Sequence, residues 1–290
     1  MYPASFDYYR PKTVAEAVTL LGKNKNARVL AGGHSLLPQM KLRVAQPSAL
    51  VDIGRIKTLS GIKATKTALT IGALTTHAEV AASSIVQQQC PVLAETAALI
   101  GDVQVRNRGT IGGSLAHADP AADYPTVIVA LGATITATGP KGSRNIPADK
   151  FFKDLFTTTL KPAEIITAVS VPAYGGMKGM GGAYLVHEHP ASTYAVVGVA
   201  AMVGLEKGKI GRVSLVVGGA TANPVHAADA EKALTGQEPT DANIAAAAQQ
   251  VAGAISDPLG DTYASGEYRT YLATVLAKRA LMMAAQRAMG

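Results

Sequence analysis

Two glycine-paired segments concentrate what this chain could do chemically. Ala31-Gly32-Gly33-His34-Ser35-Leu36 and Ile111-Gly112-Gly113-Ser114-Leu115 each follow an apolar stretch with Gly-Gly and a small hydroxyl residue. Adjacent glycines allow positive φ and let a ligand come close to the backbone. Successive N–H groups pointing into such a turn form an anion nest, to which Ser35, Thr110 and Ser114 add hydroxyl donors. Two facing nests could grip the two phosphates of a dinucleotide, although two ordinary tight turns would carry the same residues. The second segment continues as His117-Ala118-Asp119-Pro120-Ala121-Ala122-Asp123-Tyr124-Pro125. There Asp123 suits ribose or ribityl hydroxyls, and it equally suits the N-cap of the helix that follows.

Other motifs fall short. No G-x-x-x-x-G-K-[ST] occurs, and the glycines of 175–182 miss G-x-G-x-x-G because the sixth place from Gly179 is Tyr184. Gly112-Gly113-Ser114-Leu115-Ala116 is one residue away from the hydrolase pattern G-x-S-x-G. His117 and Asp119 are too close in sequence for a triad whose partners come from distant loops in the order Ser, Asp, His. His187-Glu188-His189 places two imidazoles on one face of a strand without a third ligand, and reads as an exposed edge strand. The single cysteine, Cys90, excludes a disulfide framework, a thiolate zinc site or an iron–sulfur cluster held by this chain alone. Preceding Pro91, it reads as a core or helix-start residue. Met282, Met283 and Met289 on a terminal helix read as core or interface.

The elements that must position these residues are short. A chain of 290 residues, 48% apolar and 16% charged, folds without staples and is not a disordered tail. Its net charge of +7 is dispersed in single and paired Lys and Arg, with no Trp and four Phe, which gives no platform for nucleic acid. The start, MYPASFDYYR, is no secretory signal, and the longest apolar stretch, Tyr194 to Leu205, is too short to span a bilayer. With one cysteine, a reducing, cytoplasmic setting is expected.

The pattern is α+β. A helix over 13–21 opens with a capping box of Thr13 and Glu16. Strands are expected at 28–31 and 49–53, closing a first unit near residue 58. A strand at 69–74 leads into helices at 76–82 and 92–100, broken by Gly109 to Gly113. Residues 123–131 read as helix and 133–137 as strand, with a hairpin turn at Gly139-Pro140-Lys141-Gly142 and a strand at 164–172. Residues 173–182 form a glycine-rich linker, with the domain boundary near 175. Beyond it, 195–205 and 210–217 flank the turn Glu206-Lys207-Gly208-Lys209, and helices follow near 227–234, 241–254 and 267–288.

Taken with their surroundings, the two loops carry a resemblance. Ser5-Phe6-Asp7-Tyr8 with Arg10-Pro11, Ala31 to Pro38, and Val105-Arg106-Asn107-Arg108-Gly109-Thr110 into Ile111 to Ser114 form its first part. Ala118-Asp119-Pro120 with Asp123 and Pro125, Glu164-Ile165-Ile166, and His189-Pro190-Ala191-Ser192 with Tyr194 to Ala200 complete it. In this order the chain resembles the flavin-binding medium subunit of molybdenum hydroxylases, the family of bacterial carbon monoxide dehydrogenase, quinoline oxidoreductase and the xanthine dehydrogenases. The resemblance implies an FAD-binding domain of the vanillyl-alcohol-oxidase (PCMH) type over 1–175, in lobes of about 1–58 and 59–175, and a C-terminal α/β flavoprotein domain over 183–288. It places FAD on Ala31, Gly32, Gly33, His34, Ser35 and Leu36, and on Thr110, Ile111, Gly112, Gly113 and Ser114. It further implies that Asp123 holds ribityl or ribose hydroxyls, that Ile166 offers backbone contacts and that Tyr194 lies over the isoalloxazine. No catalytic side chain and no metal ligand are implied in this chain. Partners would be a small subunit with two [2Fe–2S] clusters and a large one with molybdopterin, in a dimer of heterotrimers. Electrons would pass through FAD to an external acceptor; the alternative is a scaffold subunit that binds no flavin. Ser114 stands where many relatives have Asn, and Val186-His187-Glu188-His189-Pro190 lacks the Lys and Arg of the carbon monoxide branch, which leaves substrate and acceptor open.

Overall fold

The computed structural model describes all 290 residues, Met1 to Gly290. Three main sheets and a small two-stranded one organise them, and the glycine loops lie at the seam between the first two. The first unit contains β1 (Asp7–Tyr9), α1 (Val14–Lys23), β2 (Ala27–Leu30), α2 (Leu36–Lys41) and β3 (Ala49–Asp52), with a parallel sheet ordered β1-β3-β2. Parallel strands cannot be joined by a hairpin, so α1 and α2 carry the chain back between them. Ala17 and Val18 of α1 pack with Val51, Ile53 and Leu59 into a small core. Only one arm of the expected capping box forms: Thr13 Oγ1 accepts the Glu16 N–H, while the Glu16 carboxylate accepts the Lys12 N–H instead of that of Thr13.

The second unit runs through β4 (Ile62–Ala64), β5 (Ala68–Gly72), α3 (His77–Ala82), α4 (Ser84–Gln89), α5 (Pro91–Leu99), α6 (Val103–Arg106), α7 (Ile111–His117) and α8 (Asp123–Ala130). It closes with β6 (Thr134–Gly139), β7 (Gly142–Pro147), β8 (Phe152–Asp154), β9 (Thr157–Thr158) and β10 (Ile165–Pro172). Its main sheet is antiparallel, ordered β4-β5-β10-β6-β7, with the expected turn at Pro140-Lys141. A complete capping box starts α3, where Thr76 Oγ1 accepts the Glu79 N–H and the Glu79 carboxylate accepts the Thr76 N–H at 2.7 Å. The helical break at 109–113 is shorter than the glycine count suggests. Only Gly109 and Thr110 are extended, and Gly112 and Gly113 already lie inside α7.

The third unit is an antiparallel sheet, β11 (Met180–Glu188), β12 (Ala195–Glu206), β13 (Lys209–Gly218) and β14 (Val225–His226), in sequence order. The β12–β13 hairpin turns at Lys207 and Gly208, with φ of 52° and 80°, as the right-handed twist of two-residue hairpins favours. Three helices follow, α9 (Ala228–Leu234), α10 (Asp241–Ala248) and α11 (Gly266–Met289).

β12 is apolar from Ala195 to Leu205 because both its faces are covered. Val199, Ala201 and Val203 join the cluster containing α11, and Ala200 and Met202 join the core of the second unit, together with Tyr184 and Val216. That alternation is the two-residue period of a strand. Helix α8 is buried along its whole length because it lies between the second unit's core and this sheet. Two register-paired glycines let it come close: a Cβ on Gly198 would overlap the Tyr184 phenol, and one on Gly218 would overlap Thr126 of α8. A single apolar core therefore crosses the glycine-rich connection, which is shorter than the expected 173–182 because Met180 to Gly182 already pair with β12.

Cys90 is fully buried between α4 and α5, and burial pushes its thiol up to about 12. The thiolate that a maleimide needs is thus absent at neutral pH. The native chain should take up no label at pH 7.5 over minutes and one per chain in guanidinium; rapid native labelling would contradict this packing. Met282, Met283 and Met289 lie on the outer face of α11, between 36% and 63% exposed, so none is core.

Candidate functional site

A cleft of about 740 Å³ opens between the first and second units, within the size range of small-molecule sites. Ala31, Gly32, Gly33, His34, Ser35 and Leu36 line it from the first unit, and Thr110, Gly112, Gly113, Ser114, Asp123 and Ile166 from the second. Tyr194 reaches it from the third sheet. Ile111 alone among the expected residues does not. Its side chain is fully buried as the inward residue of α7, and its N–H donates to the Thr75 carbonyl at 3.1 Å.

The two loops do different work. In the first, Gly33 takes a φ of 80°, and the carbonyls of Gly33 and Ser35 accept the N–H groups of Leu37 and Gln39 as α2 begins. Carbonyls therefore hold the turn, while no acceptor in the chain takes the N–H of Ala31, Gly32, Gly33, His34 or Ser35. Five consecutive donors are thus left free, the supply that an anion nest draws on. In the second loop the amides are spent. Gly112 donates to Ala73 O, Gly113 to Thr110 Oγ1 and Ser114 to Thr110 O. The expectation of two facing nests is thus corrected, because helix α7 consumes the second set. Its contribution is the side of Thr110 and Ser114 and the close approach that Gly112 and Gly113 permit.

Backbone contact brings the loops together. A Cβ on Gly32 would overlap the Arg108 carbonyl and come within 3.0 Å of Gly109 Cα. Gly109 in turn lies against the ring of His77, and Thr110 bridges Thr76, which fastens the second loop to the start of α3.

Asp123 does not cap α8. Ala122 holds the N-cap position, and Asp123 is the first helical residue. Its carboxylate lines the cleft and accepts the Tyr184 phenol at 2.8 Å. Burial pushes it up to about 6, opposed by that hydrogen bond. Ile166 sits where the β10–β6 register shifts, opposite Ala137, with its side chain in the core. Tyr194 is 48% exposed on the β11–β12 loop, which is tied down by His189 N–H to Tyr194 O at 2.8 Å and Ala195 N–H to Ala121 O. Burial raises its phenol, with Asp119 and Asp123 adding to the effect.

Several lining residues went unread in the sequence. His77 is buried against Tyr124, ring centroids 5.3 Å apart, and burial lowers it to about 4, so it is neutral at pH 7. His117, read in the sequence only against a hydrolase triad, lines the cleft and stacks at 5.2 Å on Phe156, a lining residue that was not read. The helix expected at 76–82 placed the start of α3, but nothing local marked His77 as buried. His187 and His189 do not converge on an ion. A register shift separates His187 from Glu188, His187 meets the edge of Tyr268, and His189 stacks on Tyr263 at 4.5 Å. No group of three or more His, Cys, Asp or Glu side chains is arranged to hold a metal ion.

An amide cradle for an anion, a buried carboxylate further along the cleft and an aromatic at its mouth define a two-lobed α+β nucleotide-binding protein with an added C-terminal sheet. Residues 4–174 match the FAD binding domain in molybdopterin dehydrogenase, and 182–284 the CO dehydrogenase flavoprotein C-terminal domain. The chain belongs to the FAD-binding medium subunits of the molybdenum hydroxylases, the multi-subunit oxidoreductase family of the carbon monoxide and xanthine dehydrogenases. It is 39% identical over 282 residues to the carbon monoxide dehydrogenase medium chain of Hydrogenophaga pseudoflava, covering 97% of both chains. It is 38% identical over 280 residues to the glyceraldehyde dehydrogenase medium chain of Sulfolobus acidocaldarius, covering 97% of this chain and 98% of that one. A solved structure of the Hydrogenophaga carbon monoxide dehydrogenase lacking the Mo-pyranopterin moiety superposes with a TM-score of 0.95 at 41% identity over 99% of both chains. No helix is long and apolar enough to cross a membrane.

Proposed function

We propose that the cleft holds FAD, and that the chain carries electrons between iron–sulfur clusters of a partner subunit and an external acceptor. The five unpaired amides from Ala31 to Ser35 carry this reading, because a run of donors with no acceptor suits a pyrophosphate. In this reading Ser35, Thr110 and Ser114 add hydroxyl donors and Leu36 closes the first loop. Asp123 accepts a ribityl or ribose hydroxyl, Ile166 offers its backbone, and Tyr194 covers the ring system. Bound FAD supplies a junction between one-electron clusters and a two-electron acceptor. The residues of this chain bind and orient; none acts as a catalytic acid or base.

From membership of this family we infer a small partner subunit carrying the [2Fe–2S] clusters and a large one carrying molybdopterin; the single buried cysteine of this chain can hold no cluster. A cytoplasmic dimer of heterotrimers is the assembly we infer. Relatives of near-equal identity are named for carbon monoxide and for glyceraldehyde. The substrate, whether carbon monoxide, an aldehyde, a purine or an N-heterocycle, therefore belongs to the molybdenum subunit.

The test is a visible spectrum of the full chain, alone and co-purified with its partners, and identification of the nucleotide released on denaturation. One FAD per chain in the complex is expected. A colourless, fully assembled complex would overturn this reading and leave a scaffold subunit.

A further inference from the structure

Asp123 is held from outside its own unit. The Tyr184 hydroxyl, on β11 of the third sheet, is the one hydrogen-bond donor that another residue sends to its carboxylate, at 2.8 Å. Both groups are nearly excluded from solvent, with Tyr184 6% and Asp123 9% exposed. The phenol occupies Oδ1 and leaves Oδ2 without a partner in the chain, in a residue that lines the cleft. An unpaired carboxylate that rotates freely would present either oxygen at any angle, whereas one pinned by a buried donor presents a fixed acceptor.

The surrounding backbone is shaped for this contact. Tyr184 pairs with Ala200 across the ladder, and its ring extends over Gly198, where any Cβ would overlap the phenol. Gly218, paired with Gly198, leaves room for Thr126 one turn along α8, so the start of that helix lies within reach of the sheet. Nearby, the Ala195 N–H on the same sheet holds the Ala121 carbonyl, two residues before Asp123.

We propose that Tyr184 is a positioning residue for the cofactor: its hydroxyl orients the Asp123 carboxylate toward a ribityl or ribose hydroxyl, so that the C-terminal sheet, besides lending Tyr194, sets a ligand that belongs to the second unit. This rests on the reading of the cleft as the FAD site.

The experiment measures FAD affinity by fluorescence quenching on the assembled complex stripped of flavin, for the parent, Tyr184→Phe, Asp123→Ala and the double variant. Tyr184→Phe should weaken FAD about 5- to 30-fold, and the same change in the Asp123→Ala background should cost less than twofold, because the phenol acts only through that carboxylate. Equal losses in both backgrounds would mean that Tyr184 serves packing alone and would overturn the proposal, as would an unchanged affinity in the single variant. A pH series adds a readout that packing does not move. Removing the hydroxyl takes away a hydrogen bond favouring the charged carboxylate, so the pH at which affinity is half lost on acidification should rise. The other titratable groups facing Asp123 are Glu188 on β11, Tyr124 on α8 and Tyr194 at the cleft mouth; all are unchanged by the substitution. Gly198→Ala is the second variant: it displaces the phenol while keeping it, and should give the same loss. If the parent complex itself binds no FAD, the reading of the cleft fails; if the parent binds and Tyr184→Phe matches it, only this inference fails.

Discussion

Gly32→Ala is expected to weaken flavin binding at least 100-fold, about 3 kcal/mol, while leaving far-UV circular dichroism unchanged. The added methyl has no room. Its position overlaps the Arg108 carbonyl oxygen and lies 2.7 Å from the carbonyl carbon, with Gly109 Cα at 3.0 Å. These are backbone atoms of the opposite unit, so no rotamer change relieves the contact and the two loops must part. Movement of the second loop also disturbs Thr110, whose neighbour Gly109 accepts the His77 N–H. Gly33→Ala is the comparison. There the new methyl meets the flexible Leu37 side chain at 2.9 Å, and the cost is mainly that of holding a φ of 80°, about 1–2 kcal/mol. Gly32 should therefore be the more damaging site, although only Gly33 has positive φ. Equal flavin content in Gly32→Ala and the parent would show that the seam tolerates opening.

Arg269→Met is expected to destabilise the chain by about 2–4 kcal/mol, the cost of leaving buried carbonyls without their donor, with a fall in Tm of roughly 5–10 °C. Arg269 is 7% exposed on α11. Its Nη1 donates to the Val196 carbonyl at 2.7 Å and the Gly219 carbonyl at 2.8 Å, and its Nη2 to Asp261 Oδ2 at 2.6 Å. It thus ties the start of β12, the end of β13 and the loop before α11 to one guanidinium, and methionine of similar length leaves two carbonyls unpaired. Calorimetry of the flavin-free chain checks this. Loss under 1 kcal/mol would mean that water replaces the guanidinium. Because β12 begins beside Tyr194, flavin affinity should fall in parallel.

How much of this was readable along the chain varied with the range of the interactions. The Pro140-Lys141 hairpin, the Lys207-Gly208 hairpin and helices such as α3, α5 and α9 were legible because turn residues and periodicity act over a few positions. Several short elements were not: β1, β4, β8, β9, α4 and α6 span two to six residues, too few to show a period, and exist because neighbours complete them. The capping boxes show the same limit. The T-x-x-E spacing at Thr13 gave half a box and that at Thr76 a whole one, because the approach of the preceding residues decides where the glutamate reaches.

By itself the sequence determined the residue types at the site: paired glycines, three hydroxyls, Asp123 and Tyr194, in an order specific to one family. It also determined that no cluster of thiolates could form. Tertiary structure decided which of these residues can meet a ligand. It freed the amides from Ala31 to Ser35 and spent those from Ile111 to Ser114, since a hydrogen bond to Thr75 or Ala73 depends on packing across the sheet. It placed Ile111 in the core, brought His77 to the cleft, and set Tyr184 against Asp123 across 61 positions of chain. Such contacts depend on how glycine faces let α8 lie on the third sheet, and that closeness exists only once the two cores have merged.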